Sequence, residues 1–399
     1  MNIKQIVAGI YYAGVNDRVT SLFEGLWPIP KGVSYNSYIV AGSEKTALID
    51  TVRIDTVRDF FNNIKGLIGD RKIDYLVVNH MEPDHSGSIP EIVRAYPELK
   101  IIGNAQTVGM IKGFYHIDDP DRFLTIKDGE EVSLGDMTLR FYLTPMVHWP
   151  ETMMTYVPER KTLFSGDAFG CFGALSGAVV DTEMTTDLYF PEMHRYYANI
   201  VGKYGMHVQR ALKKLAGVEF DYICSTHGPV WHDRIAEVVA VYDRLSKYEP
   251  EAGVTIIYGS MYGNTAEAAE EIACGLAEAG VRNIRIHDAS HSTMSDMISD
   301  AFRYEGLVIG SATYSMTIFP PVAQLMQAME TREIRNKQFA WFGNFTWAPK
   351  VVGPAMEAFA EKLKLPVVGS VAVKQSLDDD SRRQARELVH AIAAALTLK

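Results

Sequence analysis

The stretch YLVVNHMEPDHSGSIP, residues 75–90, joins a short apolar run to a dense group of potential metal ligands. The run Tyr75 to Val78 predicts a buried strand. Four chelating or charged side chains follow it within six residues: His80, Glu82, Asp84 and His85. We expect Pro83 to keep them out of a helix, so that they spread from a loop at the edge of a sheet. The spacing His-x-Glu-x-Asp-His then lets neighbouring side chains point to two centres, as a dinuclear metal site requires.

Three more candidates follow later strand-like runs: His148 in TPMVHWP, Asp167 in LFSGDAFG and His227 in ICSTHGPVW. Taken alone, His148 or His227 is more often an ordinary hydrogen-bonded residue than a metal ligand. A cluster at one strand end, followed by three residues in the same context, is not what solvation alone produces. We therefore predict that the seven residues form one site.

The cysteines exclude sulfur as the basis of this site. They are Cys171, Cys224 and Cys274, with no CxxC pair. The sequence therefore encodes neither a disulfide framework nor a cysteine-based zinc or rubredoxin-type iron centre. We expect any metal to be held by histidine and carboxylate.

Composition limits the partners. The 399 residues, 47% of them apolar, are enough for two or three domains with buried cores. A net charge of −10 without a basic run argues against nucleic-acid binding. No segment resembles a signal peptide, and no run approaches the ~20 apolar residues of a membrane span. We expect a cytoplasmic protein with no nucleic-acid and no membrane partner.

The pattern of predicted elements changes near residue 250, where SKYEPEAG interrupts a helix. Before it, strand-like pairs such as SYNSYIV and TALID are mixed with helical periodicity, which indicates sheets covered by helices. After it, five apolar runs alternate with helices: VTIIYG, NIRIHD, GLVIGS, QFAWFGN and PVVGSVAV. This alternation predicts an open, doubly wound parallel sheet. We predict two domains, residues 1–250 and 251–399.

Three loops of the second domain lie where such a sheet binds ligands, at the carboxyl ends of its strands. The first, YGSMYGNT at residues 258–265, precedes a helix whose N-terminus favours a phosphate. The others are GSATYSMTIFPP, residues 310–321, and FGNFTWAPK, residues 342–350. Thr313, Tyr314 and Trp347 are candidates to flank a flat ring. Trp347 has the alternative of a core position.

The N-terminal part resembles the metallo-β-lactamase fold, an αββα sandwich whose hydrolases carry H-x-H-x-D-H and then His, Asp and His. Glu82 replaces the second histidine, and this replacement marks the flavodiiron proteins, or A-type flavoproteins. The motifs NHMEPDHSG, HWPETM, GDAFG and STHGPVW are similar to that family. Glu82 also adds a third carboxylate, a hard anionic ligand that favours an oxidised metal over a hydrolytic zinc pair.

The resemblance implies two non-haem irons and one FMN per chain. His80, Glu82 and His148 would hold one iron, while Asp84, His85 and His227 would hold the other, with Asp167 bridging them. The resemblance leaves His85 open between an iron ligand and a histidine turned away from the metal. Tyr196 would lie near the iron pocket, where it aligns better than Tyr197. The flavodoxin-like loops would bind FMN through Ser260, Met261, Tyr262, Gly263, Asn264, Thr265, Ser311, Ala312, Thr313, Tyr314, Gly343, Asn344, Phe345, Thr346 and Trp347.

The activity implied is reduction of O2 to water, of NO to N2O, or of both, with electrons delivered through FMN. Because no CxxC is present, the donor would be a separate rubredoxin-like protein or a reduced coenzyme. The family also implies a head-to-tail homodimer, or a tetramer built from it. Two alternatives stay open: a dinuclear hydrolase with an appended flavodoxin module, which Glu82 disfavours, and an electron carrier whose metal only stabilises the fold.

Overall fold

The structure is a computed structural model, and it describes residues 4–396. The chain forms two compact units that divide between Asp243 and Arg244. The domain boundary at 250/251 remains a prediction from the sequence, and it lies where a strand of the second unit begins, at Glu251.

The first unit contains sixteen strands among the described residues. They are β1 (Lys4–Val7), β2 (Ile10–Tyr12), β3 (Val15–Asp17), β4 (Leu22–Phe23), β5 (Trp27–Pro28), β6 (Val33–Tyr35), β7 (Tyr38–Ala41), β8 (Thr46–Ile49), β9 (Tyr75–Val77), β10 (Lys100–Gly103), β11 (Phe123–Thr125), β12 (Glu131–Ser133), β13 (Thr138–Leu143), β14 (Met153–Val157), β15 (Thr162–Gly166) and β16 (Tyr222–Ser225). Its helices are α1 (Val57–Ile68), α2 (Pro83–Ser86), α3 (Ile89–Ala95), α4 (Ala105–Tyr115), α5 (Tyr189–Tyr196), α6 (Gly205–Leu215) and α7 (Ile235–Ser246), which crosses the division.

Two larger sheets make up this unit. The seven-stranded sheet has the order β1-β2-β7-β8-β9-β10-β11, and the five-stranded sheet has the order β12-β13-β14-β15-β16. Tyr38 of β7 joins them: its ring lies 5.2 Å from that of Phe164 in β15, and its hydroxyl donates to the carbonyl of Ser225 in β16. The core therefore lies between the sheets, and the predicted αββα sandwich is confirmed.

Strand direction explains where the candidate ligands meet. β8, β9 and β10 run parallel in one sheet, and β15 and β16 run parallel in the other. His80 follows β9, Asp167 follows β15 and His227 follows β16, each within a few residues of the strand's carboxyl end. Because carboxyl ends of parallel strands gather at one edge, these side chains approach one another.

One expectation about this edge was wrong. Pro83 does not prevent a helix; it begins the one-turn helix α2, which carries Asp84 and His85. The first helical position needs no backbone N–H donor, and the fixed φ of proline suits it. The two side chains therefore come from a helical turn and not from an open loop.

The second unit is the predicted doubly wound sheet, which is confirmed. Its strands are β17 (Glu251–Gly259), β18 (Ile284–Asp288), β19 (Tyr304–Tyr314), β20 (Thr317–Ile318), β21 (Gln338–Phe345) and β22 (Val367–Lys374). The order is β18-β17-β19-β21-β22, all parallel, and β20 pairs antiparallel with β19. The helices are α8 (Asn264–Glu278), α9 (Met294–Arg303), α10 (Pro320–Thr331), α11 (Val352–Leu363) and α12 (Asp379–Ala395).

The core of this unit is apolar on both faces of the sheet. Ile256, Val308 and Ala340 on three neighbouring strands are fully buried against helices. Fully burying an isoleucine or valine contributes about 1.5–3 kcal/mol, so this layer fixes the strand ends that form the loops. None of the helices in residues 4–396 has both the length and the apolar composition that crossing a bilayer demands.

Candidate metal centre and cofactor cavity

The seven side chains singled out in the first unit converge on one buried region. They form two groups, His80, Glu82, His148 and Asp167, and Asp84, His85 and His227. Within each group, one potential ligand atom from every residue lies within 4.8 Å of the others. The structure therefore brings the seven residues together, and their individual roles as metal ligands stay a prediction.

In the first group, two imidazoles face two carboxylates. The Nε2 atom of His148 lies 3.1 Å from Oε2 of Glu82 and 2.9 Å from Oδ2 of Asp167. The Nε2 atom of His80 lies 3.3 Å from the same Glu82 oxygen and 3.4 Å from the same Asp167 oxygen. Four donor atoms thus surround one point.

The second group uses the other oxygen of Asp167. The Nε2 atom of His85 lies 3.1 Å from Oδ1 of Asp167 and 3.2 Å from Oδ2 of Asp84. The Nε2 atoms of His85 and His227 are 3.1 Å apart. One carboxylate therefore presents one oxygen to each group, which is the arrangement of a bridging ligand.

The unsatisfied atoms of this region indicate a cation. Both carboxylate oxygens of Asp84 are buried and accept no hydrogen bond from the residues described, although His85 is close. The Nδ1 atom of His227 lies 2.8 Å from the carbonyl of Ser34, and it must donate because a carbonyl only accepts. The Nε2 atom of His227 is then the ring nitrogen that faces the group. Oxygen and nitrogen donors without sulfur suit non-haem iron.

In the metal-free site, protons on the histidines interact with the carboxylates in place of a metal. Burial opposes ionisation of Asp167, but the nearby imidazoles of His85, His80 and His148 hold its pKa well below the usual range. Burial alone would lower the pKa of His148, yet hydrogen bonds to Asp167 and Glu82 raise it to about 9. Metal binding would therefore release protons from the histidines.

The backbone around the ligands is fixed by a buried carboxylate at the end of β8. Asp50 accepts hydrogen bonds from the backbone N–H groups of Asn79 and His80, and from the Asn79 side chain. Burial raises the pKa of Asp50 to about 6, although these hydrogen bonds oppose the rise. The connection from β9 to His80 is thus tied to the neighbouring strand.

A cavity of about 880 Å³ opens beside Glu82 and Asp84. Glu24 stands at its wall, where burial, followed by the charge of Glu82, raises the Glu24 pKa to about 7. Phe23 lines the same cavity and sets its ring edge-on to His227, 5.4 Å between centroids. The cavity is large enough for a small molecule, and its walls are partly apolar.

Tyr196 and Tyr197 lie at the junction of α5 and a π-helical turn, Tyr197–Val201. The ring of Tyr196 lies 5.5 Å from that of His227, and its buried hydroxyl has no hydrogen-bond partner in residues 4–396. The ring of Tyr197 packs against Tyr242 instead, at 5.1 Å. Of the two, Tyr196 is the one in contact with a candidate ligand.

A second cavity, of about 490 Å³, lies at the carboxyl ends of the parallel strands in the second unit. Its lining residues are Ser260, Met261, Tyr262, Asn264, Thr265, Ala312, Thr313, Asn344, Phe345, Thr346, Trp347, Ala348 and Gln375. Four residues of the predicted set are not part of this lining: Gly263, Ser311, Tyr314 and Gly343.

The donors around this cavity fit an anion and a flat polar ring. No side chain caps α8 within the described chain, so its first-turn N–H groups are open to a phosphate. Gly263, the residue directly before this helix, adopts a φ of 98°, a conformation that favours glycine. The hydroxyl of Thr313 is buried without a hydrogen-bond partner in residues 4–396. Trp347 is 83% exposed, which contradicts the alternative of a core position.

Comparisons with known proteins agree with both halves of the chain. The family described as ODP family beta lactamase matches residues 33–228, and the flavodoxin family matches residues 256–387. The anaerobic nitric oxide reductase flavorubredoxin of Shigella flexneri is 33% identical over 389 residues, 95% of this chain and 79% of that protein. This chain belongs to the flavodiiron protein family.

Solved structures of this flavodiiron family superpose on the whole chain. The rubredoxin oxygen:oxidoreductase of Desulfovibrio gigas has a TM-score of 0.93 and 29% identity, covering 98% of each chain. The flavodiiron protein of Giardia intestinalis has a TM-score of 0.92 and 25% identity, covering 98% of this chain and 96% of that one. As a flavodiiron protein, the chain is an oxidoreductase with FMN and a diiron centre. The hydrolase alternative gains no support.

Four residues near the metal centre and the cofactor cavity of this flavodiiron protein were not predicted from its sequence. Ala348 and Gln375 line the cofactor cavity, and Gln375 directly follows β22, so the rule of strand ends would have found it. Glu151 lies 2.8 Å from Nδ1 of His80, and Glu24 lies beside Glu82. Both glutamates are distant in sequence from the residues they contact. Glu151 lies in the motif HWPETM, but that motif does not show that its side chain meets His80.

Proposed function

We propose that this flavodiiron protein reduces O2 to water, NO to N2O, or both, using electrons that an external donor supplies through FMN. The observation that carries the proposal is the position of Glu82. It stands with His80 and His148 in one half of a two-part site whose halves share Asp167. The same chain provides a cavity of the flavodoxin type.

His80, Glu82 and His148 would hold one iron, and Asp84, His85 and His227 the other, with Asp167 between them. The distances support this division, because each oxygen of Asp167 faces one group. The buried, unpaired oxygens of Asp84 support it further. Three carboxylates offset much of the charge of two irons in a site whose ligands are largely buried.

When bound, the FMN would accept electrons from the donor and the iron pair would deliver them to O2 or NO. The residues of the chain limit what reaches the site. Phe23 and Tyr196 cover His227 with their rings, which leaves the approach from Glu82 and Asp84. We propose Tyr196 as the catalytic tyrosine, because its ring lies 5.5 Å from that of His227 and its buried hydroxyl has no hydrogen-bond partner in residues 4–396.

For FMN, we propose that the phosphate binds at residues 260–265, where the N-terminus of α8 and Gly263 allow a close approach. The ring would lie against the loops that contain Thr313 and Asn344, with Trp347 over one face. The other predicted contacts keep their proposed roles: Ser311 and Gly343 support these loops from buried positions, and Tyr314 lies beside them half-exposed.

The donor would be a rubredoxin-like protein or a reduced coenzyme, in the cytoplasm. The name of the Desulfovibrio gigas structure pairs rubredoxin with an oxygen oxidoreductase, which supports the first choice. Adding each donor to the anaerobic, oxidised protein and recording the flavin absorbance would distinguish them. A donor that leaves the flavin oxidised is not the one used.

We propose a head-to-tail homodimer, or a tetramer built from two such dimers, in which each flavin lies beside the partner's irons. Exposed apolar side chains around both cavities support it, since such patches mark interfaces. They are Leu22, Ile54 and Phe114 at the metal cavity and Met261, Tyr262 and Trp347 at the flavin cavity. A monomer that is fully active in sedimentation-matched assays would contradict this part.

The test combines metal analysis with rapid kinetics. Purified protein should contain two irons and one FMN per chain, and the reduced protein should be oxidised rapidly by O2, by NO, or by both in stopped-flow mixing. His80→Ala and Asp167→Ala should abolish this oxidation, while His291→Ala, whose side chain is 84% exposed, should not.

Two outcomes would contradict the proposal. Zinc in place of iron, with ester or lactam cleavage, would favour the hydrolase. Rapid oxidation that persists in His80→Ala and Asp167→Ala would favour an electron carrier whose metal is structural.

A further inference from the structure

We propose that Glu151 is a fourth carboxylate of the metal centre, one that positions His80 and balances the charge of the irons without binding them. This inference rests on the proposed function, because it takes the seven candidate ligands to hold iron. Glu151 belongs to the motif HWPETM but to neither group of converging donors.

The contacts of Glu151 determine which nitrogen of His80 faces the metal. Its Oε1 atom lies 2.8 Å from the backbone nitrogen of Met81 and 2.8 Å from Nδ1 of His80. The backbone N–H only donates, so Oε1 is an acceptor. The same oxygen therefore accepts a hydrogen bond from Nδ1 of His80 as well, and Nε2 of His80 is left with its lone pair toward the site. A carboxylate that orients a histidine in this way also makes it a stronger ligand.

The charge of Glu151 is not balanced by a lysine or an arginine in residues 4–396. The side chain is fully buried, and its second oxygen, Oε2, has no hydrogen-bond partner in the described residues. The ion pair recorded for Glu151 is with His80. A buried carboxylate is costly unless it is paired. With Glu82, Asp84 and Asp167, Glu151 makes four carboxylates, which matches the charge of two divalent irons.

Glu151 also connects the two histidines of one group. It lies three residues after His148, and its carbonyl accepts a hydrogen bond of 2.6 Å from the side chain of Asn104, at the start of α4. The turn that supplies His148 is thus fixed to β10 and α4, and from there its carboxylate reaches His80. Movement of Glu151 would displace both imidazoles.

The experiment compares Glu151→Gln, Glu151→Ala and the wild type, with Asp181→Asn as a matched control. Asp181 is also a buried carboxylate, and it accepts hydrogen bonds from the backbone of residues 232–234, which include no candidate ligand. We measure the iron content per chain during titration with a chelator, the midpoint potential of the iron centre by EPR-monitored titration, and the thermal stability of the metal-free proteins.

Glu151→Gln should keep two irons and raise the midpoint potential, because the amide oxygen can still accept from Nδ1 but carries no charge. Glu151→Ala should weaken iron binding by about 10–100-fold, the usual effect of losing the partner of a metal-bound histidine. Asp181→Asn should change neither the potential nor the iron affinity. The metal-free variants report folding separately.

An unchanged potential in Glu151→Gln, together with unchanged iron affinity in Glu151→Ala, would overturn this inference and leave the proposed function intact. An equal shift of the midpoint potential in Asp181→Asn would also overturn it, since the loss of any buried carboxylate would then produce the same effect. Wild-type protein that binds no iron would overturn the proposed function and this inference together.

Discussion

His148 predicts a pH dependence of stability that exists only in the metal-free protein. Burial alone would lower its pKa, but Asp167 and Glu82 raise it to about 9. The unperturbed pKa of histidine is about 6.5. The folded state therefore binds more protons than the unfolded chain between these values, and stability falls as the pH rises. The contribution is fully present below about pH 6.5 and is lost as the pH passes about 9.

The size of the effect follows from the same numbers. A rise from about 6.5 to about 9 is about 2.5 pKa units, and at 1.36 kcal/mol per unit it is worth about 3 kcal/mol. The side chain is 6% exposed, so solvent screening is weak. Asp167 and Glu82 are held ionised by the same contacts, so part of this free energy is shared with them, and about 3 kcal/mol is an upper bound.

The assay is urea denaturation of chelator-treated protein at several pH values between about 6 and about 9.5, which span the two pKa values. His148→Asn serves as the comparison, because it keeps a polar side chain but does not titrate. The wild type should lose more stability than the variant across this range, and iron-loaded wild type should not, since metal bound at Nε2 excludes the proton. Equal losses in wild type and His148→Asn would refute the reasoning.

Three further predictions concern the second unit. A Cβ on Gly310 would overlap the ring of Phe342, so Gly310→Ala should lower the free energy of unfolding by about 1–3 kcal/mol in denaturation experiments. Gly109→Ala, in a helix with open space around the glycine, should not destabilise the protein. Equal effects of the two substitutions would contradict the overlap. Trp347→Ala should weaken FMN binding by about 2–10-fold in fluorescence titrations, because an aromatic contact is worth about 0.5–1.5 kcal/mol. Trp347→Phe should largely restore the affinity. Equal FMN affinity of the wild type and both variants would show that Trp347 does not stack on the ring. Burial lowers the pKa of Lys337 to about 7, so above that pH the unfolded chain binds more protons than the folded protein. The stability of the wild type should therefore rise with pH relative to that of Lys337→Met. A difference in stability between the two proteins that stays constant with pH would contradict this.

The sequence carried enough information for the fold of both halves. Strands β9, β15 and β16 are short apolar runs that end in polar ligands, and the five runs after residue 250 became parallel strands in one sheet. Burial on both faces leaves a strand few polar positions, so its pattern is visible in the sequence alone. The error at Pro83 was local: the sequence does not say whether a proline ends a helix or begins one.

Contacts between residues that are far apart in the sequence could not be predicted from the sequence. Glu151 meets His80 across 71 positions, and Glu24 meets Glu82 from a hairpin turn at the cavity wall. No motif contains Glu24, and the motif HWPETM contains Glu151 without showing which residue it contacts, because the charge and size of a side chain say nothing about its burial. Gln375 differs from the two glutamates. It directly follows β22, and the rule that ligands bind at the carboxyl ends of parallel strands would have placed it near the cavity.

By itself, the sequence determined the identity of the donor atoms, nitrogen and oxygen without sulfur, and the order of the two units. Only the tertiary structure decided that Asp167 presents one oxygen to each half of the metal site, and that Glu151 supports His80 from behind. The physical reason is that ligand type is a property of a side chain, whereas bridging and charge balance depend on distances of about 3 Å between residues that the packing of two sheets brings together.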